Sequence, residues 1–220
     1  FNGYLSFETL GDPRHFATLP LAYDMIYDYL RQEYFDSEQF VKGIDGEMWA
    51  PPHPEGKEWA LGCFEKMFKR LIENKLNRGG GLKGNWNMNE QQSAMLYALA
   101  LDEDFIYQDG RAYYVNKLVY GPTTEHHGAY LDVLRANISP TTGLWPEAPG
   151  GYGQGSIGQL VRFGFIYYKN GLDFLSKDPL LSKASSSMTQ MLFPNGYVTN
   201  FGDATNGSLI WNNRILLPSG

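Results

Sequence analysis

The stretch GKEWALGCFEKMFKRLIENKLN, residues 56–77, shows most clearly how this chain folds. Its apolar side chains recur at the spacing of one helical face, at Leu61, Phe64, Phe68 and Leu71. Most of its charged side chains fall on the opposite side of the helical wheel. The stretch therefore predicts an amphipathic α-helix with one face in a hydrophobic core.

The same periodicity recurs along most of the chain. Helices are predicted over residues 17–35, 56–77, 87–101, 104–119, 125–136, 156–176 and 179–192. Thr123 and Ser156 are residue types that commonly precede a helix, so we place two helix starts there. Clusters of Gly, Pro and Asn predict long connections over residues 43–56, 77–84, 137–155 and 194–208.

Strands contribute little to the predicted fold. Alternation of apolar and polar residues is absent before residue 195, and only short extended pieces are expected between residues 198 and 211. We therefore predict a mainly all-α fold whose helices pack as a bundle, a solenoid or an α/α toroid, complete or incomplete. Residues 1–220 are expected to be one helical domain or part of one, with no internal boundary. The chain begins at Phe1 and both ends look cut, so we expect a fragment or a processed form.

Composition argues against several classes of protein. With 43% hydrophobic and 19% charged residues, the chain can form a core and is not typical of disorder. Its net charge of -6 argues against general nucleic-acid binding, which depends on Lys and Arg. No apolar run approaches the roughly 20 residues that cross a bilayer, so no membrane span is expected. The single cysteine, Cys63, permits no intrachain disulfide.

Aromatic residues are abundant, at 15% of the chain. They can form a large rigid core, or they can provide exposed rings that stack on sugars or bases. Composition alone favours the core.

Standard catalytic and metal-binding signatures are missing from the sequence. We find no G-x-x-x-x-G-K-[ST], no G-x-S-x-G and no H-E-x-x-H. The adjacent His126 and His127 would point about 100° apart on a helix and are poorly placed to hold one metal together. We expect them to be an exposed or capping pair, and we predict no metal and no cofactor.

Two segments concentrate polar and aromatic side chains beside turn residues. Residues 84–92, GNWNMNEQQ, crowd amides next to a tryptophan where a helix begins. One Asn is enough for a helix cap, so both a cap and a polar ligand site stay open. Residues 143–155, GLWPEAPGGYGQG, place Trp145, Glu147 and Tyr152 among prolines and glycines. That pattern favours a functional loop.

Four motifs in order along residues 15–205 resemble those of the heparinase II/III-like polysaccharide lyases, a family that includes heparin and alginate lyases. They are AYDMIYD at 22–28, NW at 85–86, WPEAPGGY at 145–152 and FGD at 201–203. Taken alone, the last motif is most simply a β-turn. The resemblance implies an N-terminal α/α toroid that a β-sandwich domain follows in the full-length protein.

The resemblance also implies which residues act. Tyr152 and Asn85 would be catalytic, and substrate contacts would come from Trp86, Asn89, Trp145, Glu147 and Asp203. Asn87 lies between Asn85 and Asn89, so which of these three residues provides the active amide stays open. The implied partner is an anionic polysaccharide or oligosaccharide, encountered in the periplasm or outside the cell.

The implied reaction is β-elimination at a uronic acid. A base removes the proton from C5, and the glycosidic oxygen leaves from C4. The neighbouring carboxylate must be hydrogen-bonded so that negative charge can develop, which suits an amide such as Asn85. Tyr152 could protonate the leaving oxygen or, when ionised, take the C5 proton. The basic run over residues 66–83 could attract an anionic chain or be a solvated helix face.

Two other functions stay open. A glycoside hydrolase on an α/α scaffold would pair carboxylates from Glu90, Glu147 and Asp203. A non-catalytic domain would hold glycan with stacked aromatic rings. The lyase hypothesis predicts that Tyr152 faces an amide across one cleft, whereas the hydrolase hypothesis predicts two facing carboxylates.

Overall fold

The computed structural model describes residues 19–32, 57–78, 82–102, 109–173, 178–191 and 193–194. Its elements are α1 (Leu19–Leu30), α2 (Lys57–Arg78), α3 (Asn85–Ala100), α4 (Arg111–Tyr120), α5 (Tyr130–Asn137), a π-helical turn (Pro149–Gly153), α6 (Gln154–Lys169) and α7 (Pro179–Gln190). No strand occurs in these residues, which confirms the all-α prediction for them. The extended pieces predicted between 198 and 211 lie outside the described residues.

Helix α3 is the centre of the described structure. It packs against α1, α2, α4 and α6. Every residue from Ser93 to Ala98 is buried, so this part of the helix is enclosed on all sides. Helix α7 packs against α5 and α6 at the periphery. None of the helices in the described ranges is long and apolar enough to cross a membrane.

Aromatic rings join the first three helices. Phe68 of α2 is fully buried, and its ring stacks on Tyr97 of α3 with the ring centres 5.2 Å apart. Tyr23 of α1 meets the same ring edge-on at 5.1 Å and also packs against Phe64 at 4.7 Å. These rings are therefore used as core, as the composition suggests.

Buried tyrosine hydroxyls tie helix backbones together elsewhere. Tyr130 of α5 donates to the carbonyl of Leu160 at 2.6 Å, and Tyr167 of α6 donates to the carbonyl of Met95 at 2.9 Å. Burial raises the pKa of both phenols. The two hydroxyls stay protonated and act as fixed donors that link α5 to α6 and α6 to α3.

A polar chain of contacts attaches α1 to the core. The Tyr27 hydroxyl donates to Asp102 and accepts from Arg31 at 2.7 Å. The Asp102 N–H donates to Glu65 at 2.8 Å. Glu65 is buried, and burial raises the pKa of its carboxyl group. Tyr27 of the AYDMIYD motif therefore helps to hold α1 against α2 and the end of α3.

Three helices lie close to their predicted bounds, whereas other boundaries differ. Helices α2, α3 and α7 begin and end within two residues of the predicted positions. Helix α1 ends at Leu30 rather than at residue 35. In the segment predicted as a helix over 104–119, α4 begins at Arg111 after an extended Gly110, and residues 104–108 lie outside the described residues.

Both predicted helix starts at Thr123 and Ser156 are wrong. Helix α5 begins at Tyr130, because the residues before it take a non-helical conformation in which the His127 side chain is buried. Thr123 still supports the helix start, since its hydroxyl accepts from the N–H of Ala129 at 3.1 Å and donates to Asp132 at 2.6 Å. Ser156 lies buried inside α6, because the preceding π-helical turn starts the helical path earlier.

The two adjacent histidines have opposite environments. His126 is exposed and contacts Glu125 at 3.1 Å, whereas His127 is only 2% exposed. The Nε2–H of His127 donates to the carbonyl of Lys117 at 3.0 Å, so Nδ1 is free to accept from the Lys75 ammonium at 2.8 Å. The expectation of an exposed or capping pair is therefore wrong for His127, which joins α2 to α4.

His127 should make the stability of the protein pH-dependent. Burial and the neighbouring Lys75 charge lower the pKa of its imidazole to about 4, against an ordinary value of 6.5. Below pH 6.5 the unfolded chain takes up a proton that the folded protein accepts only near pH 4. The free energy of unfolding should therefore fall by about 3 kcal/mol as the pH drops from 7 to 4 through this group.

Urea unfolding between pH 4 and 7 tests this effect. In His127→Gln the free energy of unfolding should vary less with pH, because unfolding then takes up about one proton fewer than in the parent. His126→Gln is the matched control, because it removes the adjacent imidazole from an exposed position. Identical pH dependence in both variants would contradict the assignment.

Candidate functional site

Asn85 stands at the first position of α3. Gly84 precedes it with φ +90°, a left-handed backbone conformation that favours glycine. No side chain caps this helix start, and the Asn85 side chain is half-buried. Its amide is therefore not used as a cap within the described structure.

Asn137 holds the segment that leads into Asn85. It is buried at the last position of α5. Its side-chain oxygen accepts from the N–H of Gly84 at 2.9 Å, and its NH₂ group donates to the carbonyls of Leu82 at 2.9 Å and Val133 at 2.8 Å. Asn137 is not among the predicted site residues, and its only signal in the sequence is an amide at the end of an amphipathic helix.

The loop that carries Trp145 and Glu147 starts at the same place. Two residues after Asn137, the N–H of Ser139 donates to the carbonyl of Leu144 at 3.0 Å. The end of α5 therefore joins two functional candidates: the chain segment before Asn85 and the loop before Tyr152.

Helix α7 supports this loop from the outside. The Ser187 hydroxyl donates to the carbonyl of Thr142, and the Lys183 ammonium donates to the carbonyl of Pro140. Gly143 lies so close to the helix that a Cβ atom there would stand 2.6 Å from the Lys183 carbonyl oxygen. Gly143 also has φ +74°, so a larger residue would meet both a clash and a strained backbone.

Trp145 faces into the protein rather than into solvent. It is 4% exposed, and its indole N–H donates to Glu147 at 2.7 Å. In this arrangement the indole offers almost no exposed face on which a sugar could stack, and its contacts are those of a loop support. Glu147 is half-buried, and by accepting this hydrogen bond it helps to orient the loop.

Tyr152 lies on a helical turn, although its whole segment is predicted as a loop. The N–H of Gly153 donates to the carbonyl of Ala148 at 2.9 Å, which closes a wide turn. Proline suits the start of a turn because it has no N–H to satisfy, and Pro149 occupies that position. A Cβ atom at Gly153 would lie 3.2 Å from the Ala148 carbonyl oxygen, so glycine suits this close approach. Short π-helical turns often occur at functional sites.

The Tyr152 side chain is exposed and available. It is 45% exposed, and its hydroxyl forms no hydrogen bond with the described residues. Both Tyr152 and Asn85 thus hold polar groups without partners there, on segments joined through the end of α5. No described hydrogen bond links the two side chains directly, and their position across one cleft stays a prediction.

Several predicted site residues lie outside what the structure describes. They are Asp203 and the side chains of Trp86, Asn87, Asn89 and Glu90. Among the described residues, no three His, Cys, Asp or Glu side chains are grouped as metal ligands would be.

Comparison with known proteins adds no relative. No family model, curated protein or solved structure matches this chain. The resemblance to heparinase II/III-like lyases therefore rests on the four motifs.

Asn137→Ala should destabilise the protein by about 2 kcal/mol, because it leaves the Gly84 N–H and two carbonyl groups without their side-chain partner. Thermal or urea unfolding measures the loss. Asn116→Ala on the exposed face of α4 is the matched control and should change stability by less than about 0.5 kcal/mol. Equal stability of the two variants would show that the Asn137 contacts contribute nothing.

Proposed function

We propose that the protein is a polysaccharide lyase that cleaves a uronate-containing glycan by β-elimination on an α/α toroid. The observation that carries this proposal is the placement of Tyr152. Its side chain is exposed on a π-helical turn, and the loop before that turn starts at the end of α5, where Asn137 also holds the backbone before Asn85. A proton-transfer group and an amide donor are the two kinds of group that this elimination needs.

The reaction breaks two bonds and forms one double bond. The C5–H bond gives its electrons to a new C4=C5 bond, and the C4–O bond breaks as the leaving sugar takes its electron pair. A base receives the C5 proton, and the leaving oxygen receives a proton. The products are a chain whose new non-reducing end is an unsaturated uronate and a leaving chain with a new reducing end.

Tyr152 performs proton transfer in this proposal. As a phenol it donates its proton to the leaving oxygen, and as a phenolate it takes the proton from C5. Its exposure supports either role, because a substrate can reach the hydroxyl without displacing a protein partner from the described residues. Gly151 and Gly155 beside it are partly exposed and have no side chain to keep a sugar chain from the backbone.

Asn85 stabilises the negative charge that develops on the uronate carboxylate. A preorganised amide can donate to the oxygen on which charge accumulates, and such donors typically contribute about 10²–10³-fold to rate. The Asn137 contacts hold the backbone just before Asn85 and limit its movement. Trp86, Asn89 and Asp203 complete the proposed substrate contacts, and Glu147 keeps the loop in place.

The substrate class also sets the proposed location and partner. A charged polysaccharide does not cross a membrane, so we place the protein in the periplasm or outside the cell. A C-terminal β-sandwich in the full-length protein belongs to the same proposal.

Alginate, heparan sulfate, hyaluronan and ulvan are the polymers to screen. β-Elimination yields a conjugated double bond that absorbs ultraviolet light, together with one reducing end for each cleavage. Reducing ends without the double bond would identify a hydrolase instead. Binding without either product would identify a glycan-binding domain.

A further inference from the structure

The exposed side of α6 continues directly from Tyr152. Its residues recur at helical spacing at Gly155, Gln159, Arg162, Phe165 and Lys169; the last three are exposed, and the first two are partly buried. We call these five residues the α6 outer face. The opposite side of α6 is buried against the core, so this face is the side that meets solvent.

The α6 outer face carries positive charge in an acidic protein. No Asp or Glu occurs between residues 149 and 172, although the chain as a whole has a net charge of -6. Arg162 is exposed and forms no ion pair with the described residues. The Lys169 ammonium lies 5.3 Å from the ring centre of Phe165. Cations and an exposed ring thus share one side of one helix.

Open space surrounds the end of this face nearest Tyr152. A Cβ atom built on Gly155 would have no neighbour within 4 Å. A chain bound at Tyr152 can therefore pass over Gly155 towards Arg162. The ten residues from Tyr152 to Arg162 span about 15 Å along a helix, or roughly three sugar rings.

We propose that the α6 outer face is a carboxylate-binding extension of the Tyr152 site, on which Arg162 pairs with a uronate about three rings from the ring that reacts. This inference rests on the proposed function and adds a residue that sets substrate length and charge. The planar guanidinium can bind a carboxylate through two parallel hydrogen bonds. Phe165 provides a ring face for the apolar side of a sugar.

Charge complementarity favours a polyuronate over other occupants. A neutral glycan would gain from Phe165 but not from Arg162. A second copy of this acidic chain would need an acidic patch that also matches the spacing along α6. A uronate polymer carries a carboxylate on each uronate ring and an apolar ring face beside it, so it matches both features of this face.

Binding of oligouronates to the Tyr152→Phe protein tests the proposal without turnover of the probe. The probes are disaccharides and hexasaccharides prepared from alginate, which carries a carboxylate on every ring, with neutral cello-oligosaccharides of the same lengths. Introducing Arg162→Gln into the Tyr152→Phe protein should weaken hexasaccharide binding about tenfold, because a hydrogen-bonded charge pair is lost. Disaccharide binding should change less than about twofold, because a disaccharide cannot reach Arg162 from Tyr152.

Two further variants separate a specific pair from general charge. Arg162→Lys keeps the charge but loses the planar fork, so its affinity should lie between those of the parent and Arg162→Gln. Lys66→Gln removes one exposed positive charge from α2 and should change hexasaccharide binding less than about twofold. Melting temperatures of all variants check that the fold is retained.

Several results would overturn the inference. They are the absence of hexasaccharide binding to the Tyr152→Phe protein, equal losses in Arg162→Gln and Lys66→Gln, equally tight binding of neutral hexasaccharides, and an Arg162→Gln effect on self-association alone. Arg162-dependent binding without β-elimination by the unmutated protein would support this inference and overturn the proposed function. β-Elimination of long substrates that does not depend on Arg162 would support the proposed function and overturn this inference.

Discussion

Tyr152→Phe in the complete protein should lower formation of the unsaturated uronate by about 10²–10⁴-fold, the usual contribution of a general acid–base group. The change deletes one hydroxyl and keeps the ring. Because that hydroxyl has no hydrogen-bond partner among the described residues and the side chain is 45% exposed, folding should be nearly unaffected. Substrate binding should be largely retained, so the loss should appear in kcat. Absorbance of the double bond, measured over a range of substrate concentrations, separates an effect on kcat from an effect on KM.

Tyr120→Phe is the matched control for this experiment. Tyr120 is 53% exposed at the end of α4, so removing its hydroxyl should leave activity unchanged. Glu147→Gln addresses the hydrolase alternative, because its amide oxygen can still accept from the Trp145 indole while the carboxylate is lost. Full activity of Tyr152→Phe would remove the tyrosine mechanism, and loss of reducing ends only in Glu147→Gln would favour a hydrolase.

Phe68→Ala should destabilise the protein by about 3–5 kcal/mol, the usual cost of deleting a buried aromatic ring. Phe68 is fully buried, and its ring contacts Tyr23 of α1 and Tyr97 of α3. Removing it leaves a cavity where three helices meet. Because native domains are stable by only about 5–15 kcal/mol, this loss is a large part of the total. The midpoint of urea unfolding measures it.

An exposed aromatic residue provides the comparison. Tyr168 on α6 is 53% exposed, and Tyr168→Ala should cost less than about 1 kcal/mol. If Phe68→Ala does not fold, Phe68→Leu keeps most of the volume and should still lower the midpoint measurably. A Phe68→Leu protein as stable as its parent would argue against a central packing role for this ring.

The positions of the candidate site residues could be predicted only in part. The segment that carries Tyr152 stands out because Gly and Pro surround an aromatic and an acidic side chain. The helical turn that this segment forms could not be predicted from the sequence, because Gly and Pro normally interrupt helices. The turn forms because Gly153 can approach the Ala148 carbonyl closely and hydrogen-bond to it. The role of Asn137 could not be predicted either, because its partners Gly84 and Leu82 become its neighbours only on folding.

The all-α class and the bounds of α2 and α7 follow from local periodicity, because an amphipathic helix buries one stripe whatever it packs against. Neighbours distant in sequence determine which polar and aromatic groups become buried. His127 and His126 are adjacent and chemically identical, yet only His127 meets Lys75 and the Lys117 carbonyl in the interior. Trp145 and Tyr152 share one segment, yet the first supports the loop from inside and the second faces solvent. Burial depends on the surfaces that meet when helices pack, and those surfaces come from parts of the chain that periodicity cannot pair.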